Sequence, residues 1–323
     1  MRRNSLRFVG TRFLFAVAAG SLVSLPAARA RAADAVVPGD FATIAAAIQG
    51  ATDGDGSGTV EIFVMPGTYF ENLLVRRSNL KLEGASPATT TIRGAMSVDT
   101  IRVENASNVT VTGFTIMNSG GADGIEFSDV TSSTISGNVF DGNVRGISLG
   151  RSSNNTIRSN EVRSSVGTGI KLARRSDANL VELNVVHDNG NHGIDAIGVA
   201  GNTIIHNSCG SNAGNGMRIG KTLGNRVESN VVTASGNNGI RIGRNFDLVL
   251  LGNSASGSRE NGLRMDETTR TIVSENSFTG NGEFGVRRKL WIDDDFDGVA
   301  PGFQDPPGSN DLSGNVRGPL RED

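Results

Sequence analysis

The apolar positions of this chain recur with a short, steady step. A glycine followed by an apolar residue stands at Gly124-Ile125, Gly146-Ile147, Gly169-Ile170, Gly193-Ile194, Gly216-Met217, Gly239-Ile240, Gly262-Leu263 and Gly285-Val286, at successive spacings of 22, 23, 24, 23, 23, 23 and 23 residues. A second series, Asn138, Asn160, Asn184, Asn207, Asn230, Asn253 and Asn276, keeps the same step and lies eight or nine residues ahead of each glycine from Gly146 onward. Two columns in phase over eight repeats mark a repeat architecture. The segments GIKL, GMRI, GIRI and GLRM place apolar residues first and third after the glycine with a polar residue between them. That alternation belongs to a half-buried strand, not a helix.

Repeats this short, with several strand segments broken by Gly, Asn and Ser, predict an all-β solenoid, a right-handed parallel β-helix. The leucine framework and helix-forming segment of a leucine-rich repeat are absent. In a stack of coils each residue lies over its counterpart at about 4.8 Å. Aligned asparagines can then hydrogen-bond along the axis, so the Asn series reads as structural. Cys209 shares a column with Val162, Val186 and Val232, which places its thiol in the core. The end strands of a solenoid need covering. Asp40 followed by FATIAAAIQGA offers an N-cap and puts Phe41, Ile44, Ala45 and Ile48 on one face, predicting a capping helix over residues 41–50. Asn315 resembles a member of the Asn series but lies 39 residues after Asn276, which predicts a 16-residue insertion around WIDDDFDGVAPGFQDPPG.

Composition narrows the setting. With 43 glycines, one Trp and one Tyr in 323 residues, an ordinary compact core is disfavoured. Arg2, Arg3, Arg7 and Arg12, the apolar stretch FLFAVAAGSLVSL and small residues around Ala28 and Ala30 have the layout of a secretory signal over residues 1–30. The Arg2-Arg3 pair leaves the export route open between general and twin-arginine secretion. Removing that segment takes five arginines and leaves 26 basic against 33 acidic residues, which argues against general nucleic-acid binding. No later apolar run is long enough to span a membrane, and a single cysteine permits no internal disulfide. The expectation is a soluble, secreted or periplasmic monomer: a β-helix over 36–292, then an Asp-rich loop and C-terminal cap over 293–323.

The segments FATIAAAIQGA, VEIFVMPGTYFENLLV, SNLKLEGAS and TTIRG resemble the opening of pectin esterases and related pectate-lyase-like β-helix proteins. The Gly-Ile and Asn repeats resemble the generic repeats of the same superfamily, including the periplasmic NosD-type proteins, and the two resemblances together cover about residues 36–290. They imply an outer groove that holds acidic polysaccharide, with lyase, hydrolase, esterase or epimerase activity in many members. The QAVA-like and DFIFG-like segments of pectin esterases have no match here, which disfavours esterase activity. The DPHD-like motif of mannuronan epimerases is also absent, HDNGNHGID having related residue types in another order. Three His, six Met and one Cys form no soft-ligand cluster in the sequence that would match the copper association of NosD-type proteins.

Candidate chemistry lies on the outward position two after each glycine: Glu126, Ser148, Lys171, Asp195, Arg218, Arg241, Arg264 and Arg287, widened three places on by Arg151, Arg174, Lys221 and Arg244. Two like charges about 5 Å apart repel by about 0.8 kcal/mol even in water, so the arginine ladder calls for neutralisation. A polyanion whose carboxylates pair with Arg218, Arg241, Arg264, Arg287, Arg244 and Lys221 is one solution. Internal pairing with Asp247, Glu260, Asp266, Glu267 and Glu283 is the other.

His187, His192 and His206 fall within 20 residues of one another. Uronate elimination or epimerisation needs a neutralised carboxylate, a base for the C5 proton and often an acid for the leaving oxygen. Lys171 and Arg218 are the candidate neutralisers, His192 the candidate proton carrier and Asp195 the orienting group or acid; the competing reading makes all four surface and turn residues. Asp293, Asp295 and Asp297 before Gly298 resemble the start of a calcium loop, though Gln304 stands where an EF-hand has its bidentate Glu. No reading requires a cofactor. The leading expectation is an extracytoplasmic β-helix that binds or modifies an acidic polysaccharide, by lyase or epimerase chemistry in its boldest form. Its rivals are a non-catalytic glycan-binding, cell-surface or NosD-like accessory module and a purely structural solenoid.

Overall fold

The computed structural model describes residues 33–95, 97–118, 121–289 and 310–322. The expected signal segment and the loop carrying Asp293, Asp295 and Asp297 lie outside the described residues.

Three parallel sheets wrap one core. Sheet A runs from Ala35–Val37 to Ile272–Ser274 with eleven strands, sheet B from Gly67–Tyr69 to Ser277–Thr279 with ten, and sheet C from Leu73–Val75 to Gly318–Glu322 with eleven. From Val60–Val64 to Phe284–Lys289 successive strands go to A, B and C in turn, so each of these coils supplies one strand to every sheet and the chain is a right-handed parallel β-helix. The Gly-Ile column is the inner edge of sheet C: Ile125, Ile147, Ile170, Ile194, Met217, Ile240, Leu263 and Val286 are successive register partners and all are buried. Cys209 stacks between Val186 and Val232 in sheet B, and complete burial pushes its thiol above its ordinary range.

The Asn series turns the corner from sheet A to sheet B. Each side chain bridges coils: the Asn207 Nδ2 donates to Val181 O, Ile205 O and Asn230 Oδ1 at 2.9, 3.0 and 3.0 Å, while Asn207 Oδ1 accepts the Asn184 backbone N–H at 3.0 Å. The residue before each is left-handed: Ser159, Leu183, His206, Ser229 and Glu275 have φ between 52° and 58°, with glycine only at 137 and 252. A second ladder, Asn155 to Asn225, closes the corner from C to A. The glycines of the Gly-Ile column are required by close packing: a Cβ on Gly193 would lie 2.6 Å from Gly216 O and 2.8 Å from Asn212 Nδ2.

A short helix, α1 (Ile44–Gly50), packs its buried Ile44, Ala47 and Ile48 against the first strands. It begins three residues later than the pattern predicts. Thr43, not Asp40, is the N-cap, its side chain accepting the Ala46 N–H at 3.1 Å, because Asp40 instead accepts the Val36 N–H at 2.9 Å. Glu71 receives the Ile44 and Ala45 N–H groups at 2.9 Å each, and Arg77 donates to Ile48 O and Ala51 O at 3.0 and 2.9 Å, so the first coil ties down both helix ends.

The C-terminal register also differs from the expectation. Asn310, not Asn315, continues the series from Asn276 (2.8 Å), and Asn315 pairs with Asn281 at 2.9 Å. Both pairs are 34 residues apart against 23 for Asn253 and Asn276, so the last coil carries eleven extra residues and not sixteen. Gly318–Glu322 adds a strand to sheet C, so residues 310–322 stack on the last described coil.

Candidate functional site

The outer face of sheet C carries the polar chemistry. Arg102, Glu126, Ser148, Lys171, Asp195, Arg218, Arg241, Arg264 and Arg287 follow one another in register, as the spacing predicts. A second column runs beside it in the turn entering sheet C, through Asp99, Asp123, Arg145, Thr168, His192, Asn215, Asn238, Asn261 and Phe284.

The structure brings Lys171, His192, Asp195 and Arg218 onto adjoining coils. Arg218 grips both oxygens of Asp195 at 2.8 Å through Nε and Nη2, and Asp195 is almost fully buried beneath it. Lys171 is the register neighbour of Asp195 on the other side but makes no ion pair among the described residues. His192 Nδ1 accepts the Asn215 backbone N–H at 3.0 Å, taking the place that an Asn Oδ1 fills on later coils. Burial first, then the charge of Arg218, lowers its pKa from 6.5 to about 4. The ring is neutral at pH 7 with its hydrogen on Nε2, so any proton it moves travels through Nε2. His187 is held by Asp188 and Glu161 on sheet B, and His206 is an exposed corner residue; the three histidines do not converge.

The arginine ladder is only partly neutralised from within. Asp266 serves both Arg241 (3.2 Å) and Arg264 (3.1 Å), and Glu267 holds Arg244 at 2.6 Å. The other carboxylates expected to help are engaged elsewhere: Asp247 with Arg270, Glu283 with Arg317, and Glu260 with the Asn238 amide. Lys171, Arg174, Arg175 and Lys221 have no carboxylate partner among the described residues. The strands Met217–Leu223 and Ile240–Phe246 run on past the usual four residues and raise a rim. There a groove of about 550 Å³ is lined by Arg175, Asp177, Lys221, Leu223, Arg244 and Phe246. Leu223 and Phe246 are register partners and about half exposed, so the groove joins an apolar shelf to three cations. The sequence pattern identified Lys221 and Arg244 but not Arg175 or Phe246, since the prolonged strands break no local rule.

Sequence reasoning also missed the acidic end of the face. Asp123 is buried and held by Arg145 Nε at 2.9 Å from each oxygen, and its backbone N–H donates to Asp99 Oδ1 at 3.0 Å. The available signal was the turn column itself, where Asp, Asp, Arg, Thr and His precede three asparagines. Away from this face, Asp34, Asp53 and Asp55 bring ligand atoms within 4.8 Å of one another, but loop amides already occupy them, including those of Gly54, Gly56, Ser57 and Gly58.

The fold and its faces define a right-handed β-helix protein with a charged groove-bearing sheet. Residues 60–222 match the family described as Periplasmic copper-binding protein (NosD), and residues 161–288 match the right handed beta helix region. The chain belongs to the NosD family. No curated protein matches the sequence. Among solved structures, the A-module of the mannuronan C-5 epimerase AlgE4 of Azotobacter vinelandii is similar with a TM-score of 0.66 at 17% identity, covering 89% of this chain and 97% of that one. The AlgE6 A-module of the same organism gives 0.55 at 15%, covering 82% and 87%, and the Dettilon tailspike protein 0.58 at 13%, covering 87% and 68%. These are likenesses of fold. The family's copper does not fit the donors at hand: Cys209, Met217 and Met265 are sealed in the core and His187, His192 and His206 stand apart, so among the described residues the histidines and the cysteine assemble no shared ligand set.

Proposed function

We propose that this protein acts outside the cytoplasm and binds an acidic polysaccharide along sheet C. The observation that carries the reading is the surplus of cations: one carboxylate for Arg241 and Arg264 together, and none for Lys171, Arg174, Arg175 or Lys221. Carboxylates spaced along a uronate chain would complete these pairs, with Arg offering two parallel hydrogen bonds. The Leu223–Phe246 shelf beside Lys221 and Arg244 gives a sugar ring an apolar surface next to charge. The periplasmic description of the family supports the location, and the named substrate of the epimerases, mannuronan, is a polymer of uronate units.

The test is equilibrium binding of the full chain to alginate, polygalacturonate and a neutral glucan at low and raised salt. Selective, salt-sensitive binding of the uronate polymers is expected, and the triple variant Arg175→Ala, Lys221→Ala, Arg244→Ala should weaken it roughly tenfold, each rim cation contributing about 0.5 kcal/mol. Equal binding of the neutral glucan, or none of any polymer, would refute the reading. Modification at the same face is the second reading, favoured by His192, Asp195, Lys171 and Arg218 on adjoining coils. C5 proton exchange or unsaturated uronate formation that disappears in His192→Ala would establish it.

A further inference from the structure

In the middle of sheet C the carboxylates are already taken, and what remains open are hydrogen-bond donors. Asp123 is gripped by Arg145 and Asp195 by Arg218, each arginine coming from the following coil. Between these two pairs stand Ser148, Thr168, Lys171 and His192. Ser148 and Thr168 are 7% and 6% exposed, and neither hydroxyl has a hydrogen-bond partner among the described residues. His192, 6% exposed, accepts the Asn215 N–H at Nδ1, so its hydrogen is on Nε2, and Nε2 has no partner either. None of these three polar atoms is sealed from solvent, so all three open onto the face. Lys171 adds an ammonium that no carboxylate answers. Polar groups buried this far are normally satisfied; four neighbours left open together point to a ligand that accepts hydrogen bonds.

The register brings these groups within reach of one ligand. Ser148 and Lys171 are register partners about 4.8 Å apart, the relation in which Arg218 reaches Asp195 at 2.8 Å. Thr168 precedes Lys171 by three residues, the relation in which Asp99 lies 3.9 Å from Arg102. His192 follows Thr168 in the turn column, where the Gly169 N–H donates to His192 O at 3.0 Å. Ser148 is also the short side chain between Glu126 and Lys171, which leaves a dip in the face, and Arg102 lies 3.6 Å from the Glu126 carboxylate beside it.

We infer that Ser148, Thr168, Lys171 and His192 form a subsite that receives one uronate unit of the polymer. Lys171 pairs with its carboxylate, and the two hydroxyls and the Nε2–H bond to its oxygens. This rests on the binding reading given above, and adds to the charged rim at Arg175, Lys221 and Arg244 a second point of attachment built on hydrogen bonds. An ionised carboxylate only accepts, which suits an ammonium and an imidazole N–H. A neutral sugar in the same place would leave Lys171 without a counter-charge. Arg218, the other candidate neutraliser, is withdrawn from the task because Asp195 already holds its Nε and Nη2. The exposed rim attracts by charge and is screened by salt, whereas the buried hydroxyls act at short range and select by where the oxygens lie.

The experiment measures binding of galacturonate oligomers to the full chain and its variants, beside a neutral glucose oligomer and dextran sulfate, with the melting temperature of each variant. Ser148→Ala and Thr168→Val should each weaken uronate binding roughly three- to tenfold, the effect of one hydrogen bond lost. Their salt response should stay unchanged, since no charge is removed, while Lys171→Met should lower both affinity and salt response. The nitrogen-15 signal of His192 Nε2 should move on adding oligomer to the wild type and to the rim triple variant, and stay in place in Lys171→Met. Melting temperatures retained in all variants separate recognition from folding. Uronate binding unchanged in Ser148→Ala, Thr168→Val and Lys171→Met while the rim triple variant weakens it, or a His192 signal unmoved in the wild type, would overturn the subsite and leave the binding reading standing. Equal losses with dextran sulfate would overturn the assignment to a carboxylate, and absence of uronate binding by the wild type would remove the reading beneath it as well.

Discussion

The turn column beside sheet C behaves differently in its two halves. From Asn215 through Asn261 it is a ladder that satisfies itself: Asn215 Oδ1 accepts from the backbone and side chain of Asn238 at 3.2 and 3.1 Å, and Asn238 Oδ1 accepts from the Asn261 amide at 2.8 Å. From Asp99 through His192 the same positions hold Asp, Asp, Arg, Thr and His, and the chain of amides is broken. Where the repeat closes its own hydrogen bonds the column is scaffold. Where it does not, Arg145 holds a buried Asp123, the Thr168 hydroxyl makes no hydrogen bond among the described residues and an imidazole is held neutral, so departure from the repeat marks the stretch available for chemistry.

The strongest way to break this comparison is to damage a ladder known to be scaffold. Asn207→Leu fits a side chain of similar size but strands the Asn184 N–H in the core and removes the amide's bonds to Val181 O and Ile205 O, the latter still accepting the Leu183 N–H at 3.3 Å. With about 1–3 kcal/mol for the stranded N–H and about 1 kcal/mol for each further hydrogen bond lost, a loss of about 3 kcal/mol or more is expected in guanidinium unfolding. Because coils contact only their neighbours, amide exchange should quicken most in the coils flanking residue 207. A uniform small loss would mean that the ladders follow the fold without stabilising it.

Much of this was legible before any coordinates. The Gly-Ile column, the Asn column and the place of Cys209 followed from the 23-residue step alone, because stacking makes register a matter of counting. The ends were less legible for a physical reason: Asp40 and Thr43 are equally good caps by type, and only the contact of Asp40 with Val36 decides between them. Likewise Asn310 and Asn315 both suit a ladder, and the choice depends on which coil they reach. At the candidate site, counting placed Lys171, Asp195 and the arginines correctly. It could not show that Asp195 lies buried under Arg218, nor that Arg145 holds a buried Asp123 across a coil, since side-chain reach is not periodic.

His192 stands at the boundary between the two halves, and its titration sharpens the comparison. Its pKa is about 4 in the folded chain against an ordinary 6.5, so between those values the unfolded chain binds more protons. Stability from the neutral ring is therefore fully present above pH 6.5 and is lost as pH falls toward 4, by about 3 kcal/mol in all. Thermal unfolding between pH 7 and 4 should show the loss. His192→Asn, which extends the ladder by one rung and accepts the Asn215 N–H through Oδ1, should flatten this part of the profile. A profile unchanged by the substitution would place the titrating group elsewhere.

A smaller effect probes the acidic half. Arg145 neutralises Asp123, whose side chain is 2% exposed, while the guanidinium itself is 36% exposed. Breaking a fully buried pair costs about 3–5 kcal/mol, and solvent around Arg145 reduces the expectation for Arg145→Met to about 1–2 kcal/mol at neutral pH. Burial already raises the Asp123 pKa, with Arg145 pulling it back, so the variant raises it further. The folded state then binds the extra proton first, and the deficit should shrink as pH falls through the raised pKa toward 3.8, the opposite slope to that of His192. A deficit that stays constant with pH would show that Arg145 contributes by packing its stem across the coils, and that Asp123 tolerates burial without it.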